Sequence, residues 1–510
     1  MNKMTGSAYF YALLSGVLMA VSTLLMEHTP QLIWVALIPL FGELFSAKPK
    51  KAFKLGLVYG GTVSCILCSW MIMEAGNYSG GGVIYGVLAF VLSTLFLAVM
   101  LAIPTTLFSL LGSKLDGVKA GVLNSFLLAV LFCLSEGVIS LLNGGFPWLG
   151  YHASLPLLSD LYAIQIASSM GVYGISFIIL LVNGLLAFGI KSKTWLLLTL
   201  PACLLLVFYG AGFLTVHSMK GIPKEKAAVR IALLSDNLPP TTKWDDQTGN
   251  MMVGRLRAMN QRAAQLKPNI ALWPETVVPW TYEKTDDFVN LIIGEAAYSG
   301  LYQLIGMSTA TGEKGVVYNS AYFIAPDSTV QGRYDKQRLL NLIEQYYKGF
   351  LIPFRSSLGF SLLPGPEKLP INTPYGKAGV MICNESTSSA AALNNVENGA
   401  EFLLNMSNDG WYSNSYLAPL HFYQARLRAV ESRKDMAVSS TNGYSGLILS
   451  TGEILLKKRS TDPIVELVTL YPNSVRSSYS RHPFSWVYGC LVILLGCIVG
   501  GSFLKSKTNG

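Results

Sequence analysis

The chain has 510 residues, 51% of them hydrophobic and only 13% charged, with a formal net charge of +9. This composition excludes an ordinary soluble protein, and several apolar runs are long enough to cross a bilayer. The positive charge makes no case for nucleic-acid binding, because its distribution follows the apolar runs.

In chain order, membrane spans are expected near 8–26, 32–47, 55–74, 84–112, 120–142, 165–189 and 195–214, with an eighth near 485–504. The 32–47 run is short and contains Glu43. The first span is expected to be retained: its leading segment carries one lysine, no small-residue cleavage site follows, and more spans come after it. With the N-terminus in the cytoplasm, the inner segments hold Lys3, Lys48, Lys50, Lys51, Lys54, Lys114, Lys119, Lys191, Lys193, Lys505 and Lys507. The short outer loops 27–31, 75–83 and 143–164 hold no Lys or Arg. The positive-inside rule then orients the chain and puts residues 215–484 outside the cytoplasmic membrane. Eleven lysines against Asp116 give the inner segments +10, so the rest of the chain sums to −1. Three parts are expected: a seven-helix membrane domain over 1–214, an exported domain over 215–484, and a last span with a cytoplasmic tail over 485–510. Glu136 in the fifth span reads as a capped or helix-paired structural carboxylate, although intramembrane charge also invites a functional role. Cys65 and Cys68 lie within a span, where packing explains them better than a metal does.

The exported part alternates strand-like and helix-like runs, which implies a layered α/β domain. Strands are expected at 229–236, 269–273, 301–307, 316–325, 377–383 and 401–406, and helices at 247–266, 284–298 and 415–432. Residues 436–470 read as several strands separated by turns at Asn442-Gly443 and Thr451-Gly452. The stretch 339–372 breaks the rhythm with Tyr346, Tyr347, Phe350, Phe354 and Phe360, and reads as an apolar flap over a site.

Cys383 is the one cysteine of seven outside the long apolar runs. It ends a strand-like run and precedes a helix-like one, with no disulfide partner in its domain. It reads either as a buried small hydrophobe or as a nucleophile. A catalytic thiol needs a base, and His421 is the histidine within the domain, with His217 and His482 at its membrane edges. The other candidates are charged groups that follow strand ends. Pro274 stops a strand in Trp273-Pro274-Glu275-Thr276, so Glu275 projects beyond its C-terminal edge, where open α/β sheets bind ligands. Tyr334-Asp335-Lys336 follows another strand-like run. A carboxylate in an apolar setting can act as base toward the thiol, and an ammonium can stabilise an oxyanion. Each charge taken alone also fits a solvated surface residue.

Glu275, Lys336 and Cys383, in the settings Trp-Pro-Glu-Thr, Tyr-Asp-Lys and Ile-Cys-Asn-Glu, resemble the Glu–Lys–Cys triad of the carbon–nitrogen hydrolase (nitrilase) superfamily. Eight spans around one exported domain look like the apolipoprotein N-acyltransferase family within it. Similar strings occur along nearly the whole chain: Gly145-Phe146-Pro147-Trp148, Gly171-Val172-Tyr173-Gly174, Asp236-Asn237-Leu238-Pro239, Lys243-Trp244-Asp245, Tyr318-Asn319-Ser320-Ala321 and Ser407-Asn408-Asp409-Gly410-Trp411-Tyr412. Two departures stand out. After the lysine the family usually has His-Leu-Val-Pro-Phe-Gly-Glu-Tyr, whereas this chain runs from Arg338 to Gln345, keeps Glu344 and lacks the Pro and Gly. Asn384 stands where the family commonly has an aromatic residue.

The resemblance implies an αββα sandwich beside a multi-span α-helical membrane domain. It implies a two-step acyl transfer with no cofactor and no metal. Glu275 would take the thiol proton, and Cys383 would attack an ester of a membrane phospholipid. Lys336 and the backbone N–H of Asn384 would stabilise the oxyanion. The resulting thioester would be attacked by the N-terminal amine of a diacylglyceryl-cysteine apolipoprotein. Glu344 would hold Lys336 or Glu275, with Glu385 and Trp244 in support, and Phe146, Trp148 and Trp411 would contact substrate. The setting would be a bacterial inner membrane, with the catalytic domain periplasmic and both termini cytoplasmic. A site at the outer leaflet avoids extracting acyl chains from the bilayer, at about 0.8 kcal/mol per buried CH₂. Two other readings carry their own expectations. A membrane-tethered amidase would turn over small soluble amides without lipid. A transporter or sensor would need ionisable residues through its spans, which are scarce, and no thiol.

Overall fold

The structure is a computed structural model, and it describes residues 2–78, 82–112, 117–142, 151–221, 224, 226–239, 242, 245, 248–278, 280–341, 344, 361–366 and 370–508. The chain divides into two compact units. One comprises Met1–Met73, Val83–Ser218 and His482–Gly510, and the other Glu74–Gly82 and Met219–Arg481.

The first unit is helical. Up to residue 78 the helices are α1 (Asn2–Leu24), α2 (Ile33–Ala36), α3 (Ile38–Leu44), α4 (Pro49–Leu67) and the short α5 (Glu74–Tyr78), which belongs to the second unit. Then come α6 (Gly82–Leu111), α7 (Val118–Leu142), α8 (Ala167–Ser192) and α9 (Trp195–Lys220). Among the described residues five helical segments are long and apolar enough to cross a membrane: Ser7–Leu24, Gly82–Leu111, Val118–Leu142, Ala163–Ser192 and Leu197–Lys220. Pro49–Leu67 with Ser69–Gly76 passes as a pair bent by 53°, and Pro30–Leu44 and Ser485–Gly500 are shorter apolar helices.

The break in the 30–44 segment has a local cause. Pro39 lies in the first turn of α3, where its missing N–H costs nothing but cannot continue a helix from α2. The freed groups are met by a fully buried side chain of α8: Asn183 Oδ1 accepts from Leu37 N (2.9 Å), and Asn183 Nδ2 donates to Ile33 O (3.0 Å). Glu136 of α7 is likewise fully buried; it accepts from Ala153 N (2.8 Å) and lies 3.3 Å from His152 Nδ1. These contacts match the structural role expected for that carboxylate.

The second unit carries the strands β1 (Val229–Ser235), β2 (Ile270–Leu272), β3 (Tyr302–Ala310), β4 (Val316–Ile324), β5 (Val330–Asp335), β6 (Ser361–Leu362) and β7 (Ile371–Thr373). These are followed by β8 (Gly376–Ile382), β9 (Phe402–Asn408), β10 (Met436–Thr441), β11 (Ser445–Ile448), β12 (Ile454–Lys458) and β13 (Ile464–Leu470). Its principal helices are α10 (Gly249–Gln265), α11 (Asp287–Ala296), α12 (Ser389–Glu397) and α13 (Leu417–Ser432), and α14 (Ser478–Arg481) precedes α15 (Ser485–Thr508) of the first unit.

Among the described residues the strands form two sheets. One runs β13-β1-β2-β3-β4-β5 with β6 also on β4; the other runs β12-β11-β10-β9-β8-β7. Side chains alternate across a strand, and here the alternation builds the layers. Val229, Ile231 and Leu233 of β1 meet Val380, Ile382, Leu404 and Met406 of the facing sheet. Ala232 and Leu234 point the other way, onto Leu256 and Met259 of α10 and Ile292 of α11. Met381 and Leu403 turn outward from the second sheet onto Ala392 of α12 and Phe422 and Ala425 of α13. The result is helices, sheet, sheet, helices: the αββα sandwich. Each large apolar side chain buried in these layers contributes roughly 1.5–3 kcal/mol relative to exposure.

Replacing Asn183 by Leu removes the partners of Leu37 N and Ile33 O, each worth about 1–3 kcal/mol when buried and unmet. The thermal transition of the detergent-solubilised full-length protein is expected to fall accordingly, and an unchanged transition would refute the clamp.

Candidate active site

Strand direction brings the candidate residues to one edge. β2 and β3 are parallel, and β4 pairs antiparallel with both β3 and β5, so β2 and β5 end on the same side of the sheet. Glu275 follows β2 and Lys336 follows β5. In the other sheet β8, β9 and β10 are mutually parallel, and Cys383 follows β8.

The Glu275 turn is held by main-chain contact with β3. Trp273 N donates to Leu304 O (3.0 Å) and Val277 N to Gly306 O (2.9 Å), while Thr276 adopts a φ of +49°. Gly306 must be glycine here, since a Cβ would lie 2.5 Å from Pro274 O and 2.8 Å from Thr276 N. The Glu275 carboxylate accepts from Asn319 Nδ2 (2.7 Å) and, across the sheets, from Asn408 N (3.1 Å).

Lys336 is fully buried, with its N donating to Asn319 O (2.8 Å). Its ammonium donates to Glu344 Oε1 (2.8 Å) and lies 3.5 Å from Glu275 Oε1. Glu344 Oε2 accepts from Leu340 N (2.7 Å), so this carboxylate ties the ammonium to the segment that follows it. Burial works against the Lys336 charge, but Glu344 and Glu275 outweigh it and hold the group well above the ordinary lysine value.

Cys383 is buried at a φ of +53°, a left-handed conformation that costs a non-glycine residue about 1–3 kcal/mol. It turns the chain from β8 into a 3-10 turn, Cys383–Thr387, ahead of α12. The charges of Glu275, Lys336 and Asp409 all act on its thiol. Burial, then the negative charge of Glu275, push the thiol well up, with Lys336 opposing. Burial also raises Glu275, while Lys336 pulls it down and Glu344 pushes it up. The resting group is therefore a thiol beside a carboxylate able to receive its proton.

Glu385 is fully buried and joins the thiol turn to the lysine segment. It accepts from Ile382 N (2.8 Å), Gln337 N (2.8 Å), Arg338 N (3.1 Å) and the hydroxyl of Tyr334 (2.8 Å). Asn384 adds a second tie, donating from Nδ2 to Arg338 O (3.0 Å). Its amide thus serves the local backbone between the thiol turn and the lysine segment.

His421, the alternative base, does not address the thiol. Its Nε2 meets Ser386 Oγ (2.9 Å) and the carbonyl oxygen of Cys383 (3.1 Å), and its Nδ1 meets Asp409 Oδ1 (2.9 Å). Sequence spacing gave no sign of Asp409 and Ser386 as its partners. Trp411 sits half-buried in the turn between β9 and α13. Phe146, Trp148 and Trp244, and most of the 339–372 stretch, lie outside the described residues. Among the described residues no group of three or more His, Cys, Asp or Glu is placed to hold a metal ion.

Residues 230–463 match the family model for carbon–nitrogen hydrolase, and residues 15–185 match that for the apolipoprotein N-acyltransferase N-terminal domain. The chain is 28% identical over 513 residues to an apolipoprotein N-acyltransferase of Geobacter metallireducens, covering 95% of this chain and 93% of the relative. It is 26% identical over 439 residues to one of Methylococcus capsulatus, covering 82% and 81%. A carbon–nitrogen hydrolase structure from Helicobacter pylori G27 superposes with a TM-score of 0.36 at 16% identity, over 51% of this chain and 94% of that one. The two family models fall side by side on one chain, which along most of its length is similar to apolipoprotein N-acyltransferases.

Proposed function

We propose that this chain transfers a fatty acyl group from a membrane phospholipid to the N-terminal amine of a diacylglyceryl-cysteine apolipoprotein, through a thioester on Cys383. The observation that carries the reading is the Glu275–Lys336 pair at 3.5 Å, whose two charges act on the buried Cys383 thiol, in a chain similar to apolipoprotein N-acyltransferases. A thiol, a base and a fixed cation are the parts that acyl transfer needs.

In the first step Glu275 takes the thiol proton as sulfur attacks the ester carbonyl. Lys336 meets the developing oxyanion together with the N–H of Asn384, which lies in the first turn of a helix, where N–H groups lack intrahelical acceptors. The carbon–oxygen bond breaks, the lysophospholipid oxygen takes the proton from Glu275, and a thioester remains. In the second step the acceptor amine attacks the thioester carbonyl and gives a proton to Glu275. The carbon–sulfur bond breaks, and the proton returns to sulfur. Glu344 positions Lys336, and Glu385 positions the thiol turn. Trp411, Trp244, Phe146 and Trp148 are assigned to substrate contact or its support.

The topology we infer has eight spans, both termini in the cytoplasm and residues 215–484 outside, in a bacterial inner membrane. The lysine distribution supports it, as do the five long apolar helices, the bent pair and the two shorter apolar helices.

Incubated with phospholipid, the wild-type protein is expected to gain one acyl chain in a hydroxylamine-sensitive adduct by intact mass, and Cys383→Ala to gain none. Acyl label should then pass to a lipopeptide amine; label released only into water would point to hydrolysis instead.

Acyl loading is expected to fall as pH drops through the Glu275 titration, which lies above the ordinary carboxylate value of 4.5 because burial disfavours the anion. Glu275→Gln should lose about 10²–10⁴-fold in loading rate and lack this acid limb. An acid limb surviving in the variant would assign it to another group.

Glu385→Gln places an amide N–H against backbone donors, and each lost charge-assisted bond is worth about 1.5–3 kcal/mol. Loading should slow with little change in phospholipid KM; a change in KM alone would refute the positioning role.

A further inference from the structure

The ring of His421 sits between two groups that can only accept. Nδ1 faces the Asp409 carboxylate at 2.9 Å, and Nε2 faces the carbonyl oxygen of Cys383 at 3.1 Å. A neutral imidazole carries one N–H and satisfies only one of them, whereas the doubly protonated ring satisfies both at once. Ser386 Oγ donates to the same Cys383 oxygen (3.1 Å) and lies 2.9 Å from Nε2, where with that donation it is left as an acceptor. The Tyr412 hydroxyl donates to Asp409 Oδ1 (2.8 Å), as does Ser407 Oγ (2.6 Å), and Asp409 N is anchored on Thr441 O (2.9 Å).

We propose that His421, kept as an imidazolium by Asp409, is a positioning residue that holds the left-handed turn of Cys383 through its carbonyl oxygen. The proposal rests on Cys383 being the nucleophile. The φ of +53° at Cys383 has to be imposed by its surroundings, and its carbonyl is where the His421 chain of bonds takes hold. Asp409 follows β9 and His421 lies on α13, so the clamp ties the turn after β8 to two further elements. When the second proton is lost, either the carbonyl or the carboxylate loses its donor.

The charges around the ring are defined. Asp409 and Tyr412 face it from the turn after β9, Cys383 from its own turn, and Glu275 acts on it from the turn after β2. Glu385, in the same turn as Cys383, is engaged by Tyr334 and the backbone of Ile382, Gln337 and Arg338. On α13 itself, Arg426 binds Gly452 O and Arg428 pairs with Glu431. From the helices packed on α13, Glu397 of α12 and Arg481 of α14 are exposed. Burial alone would strip the ring of its charge, but Asp409 more than offsets it and holds His421 above the ordinary histidine value of 6.5. The protonated clamp is therefore complete below that value and lost as pH rises through the raised one.

The test is the pH profile of acyl loading from mixed micelles of phosphatidylethanolamine and phosphatidylglycerol, read by intact mass on the full chain, for wild type, D409N and H421Q. Iodoacetamide labelling of Cys383 is followed in parallel. D409N should fall behind wild type by about tenfold or more in the window between its own His421 titration and the raised wild-type one, with the gap narrowing in acid and again where wild type loses the ring proton. H421Q retains an amide donor but no titrating ring, so its deficit relative to wild type should narrow at alkaline pH. A D409N deficit equal at every pH, or none, overturns the proposal. If D409N does not fold, H421Q decides it: a deficit constant across pH overturns the clamp. If wild type forms no thioester, acyl transfer fails as a reading, and the labelling profiles of the same variants still decide the clamp by the same divergence or its absence.

Discussion

A buried ammonium must be met by negative charge, and the candidate site is organised around that requirement at Lys336. Two carboxylates meet it, Glu344 at 2.8 Å and Glu275 at 3.5 Å. Removing one partner of such a buried pair typically costs about 3–5 kcal/mol, so the group holds its own members in place. The Cys383 thiol lies in the same field: burial and then Glu275 raise it while Lys336 opposes, so thiol and Glu275 carboxylate are set against each other for one proton.

The geometry of that cluster is set by backbone more than by side-chain choice. Thr276 and Cys383 both adopt positive φ just beyond strand ends, at +49° and +53°. Each is held by rigid neighbours: Thr276 by the close approach of β3 at Gly306, Cys383 by bonds to its own carbonyl and by Glu385. Glu385 spans the Cys383 turn and the Gln337–Arg338 backbone, so thiol and ammonium are referenced to one carboxylate. Sites built on strand ends hold positions more closely than sites on free loops, and reaction rates are sensitive to such placement.

Much of this was legible beforehand for a simple reason. Strand and helix periods show in the second unit because each layer of the sandwich needs its own apolar face; the runs at 229–236, 377–383 and 401–406 appear as β1, β8 and β9. Pro274 announced where a strand had to stop. The 30–44 segment was harder: its composition is apolar throughout, but Pro39 divides it and the break is stable only because Asn183, far along the chain, supplies the missing partners. His421 was also misleading at the level of sequence, since a histidine in the domain of a lone thiol suggests a base, and only its neighbours reveal that it serves the carbonyl.

The sequence by itself determined the alternation that yields two sheets between helices, the apolar runs and the lysines between them, and the three candidate residue types at strand ends. Those follow from local rules of period, turn chemistry and charge, which a linear chain carries openly. Tertiary structure alone decided which charges meet. Lys336 finds Glu275 and Glu344, Glu385 reaches across to Gln337 and Arg338, and Asp409 meets the ring of His421. The strength of a charge pair depends on distance and on exclusion of water, and neither exists until the layers have packed.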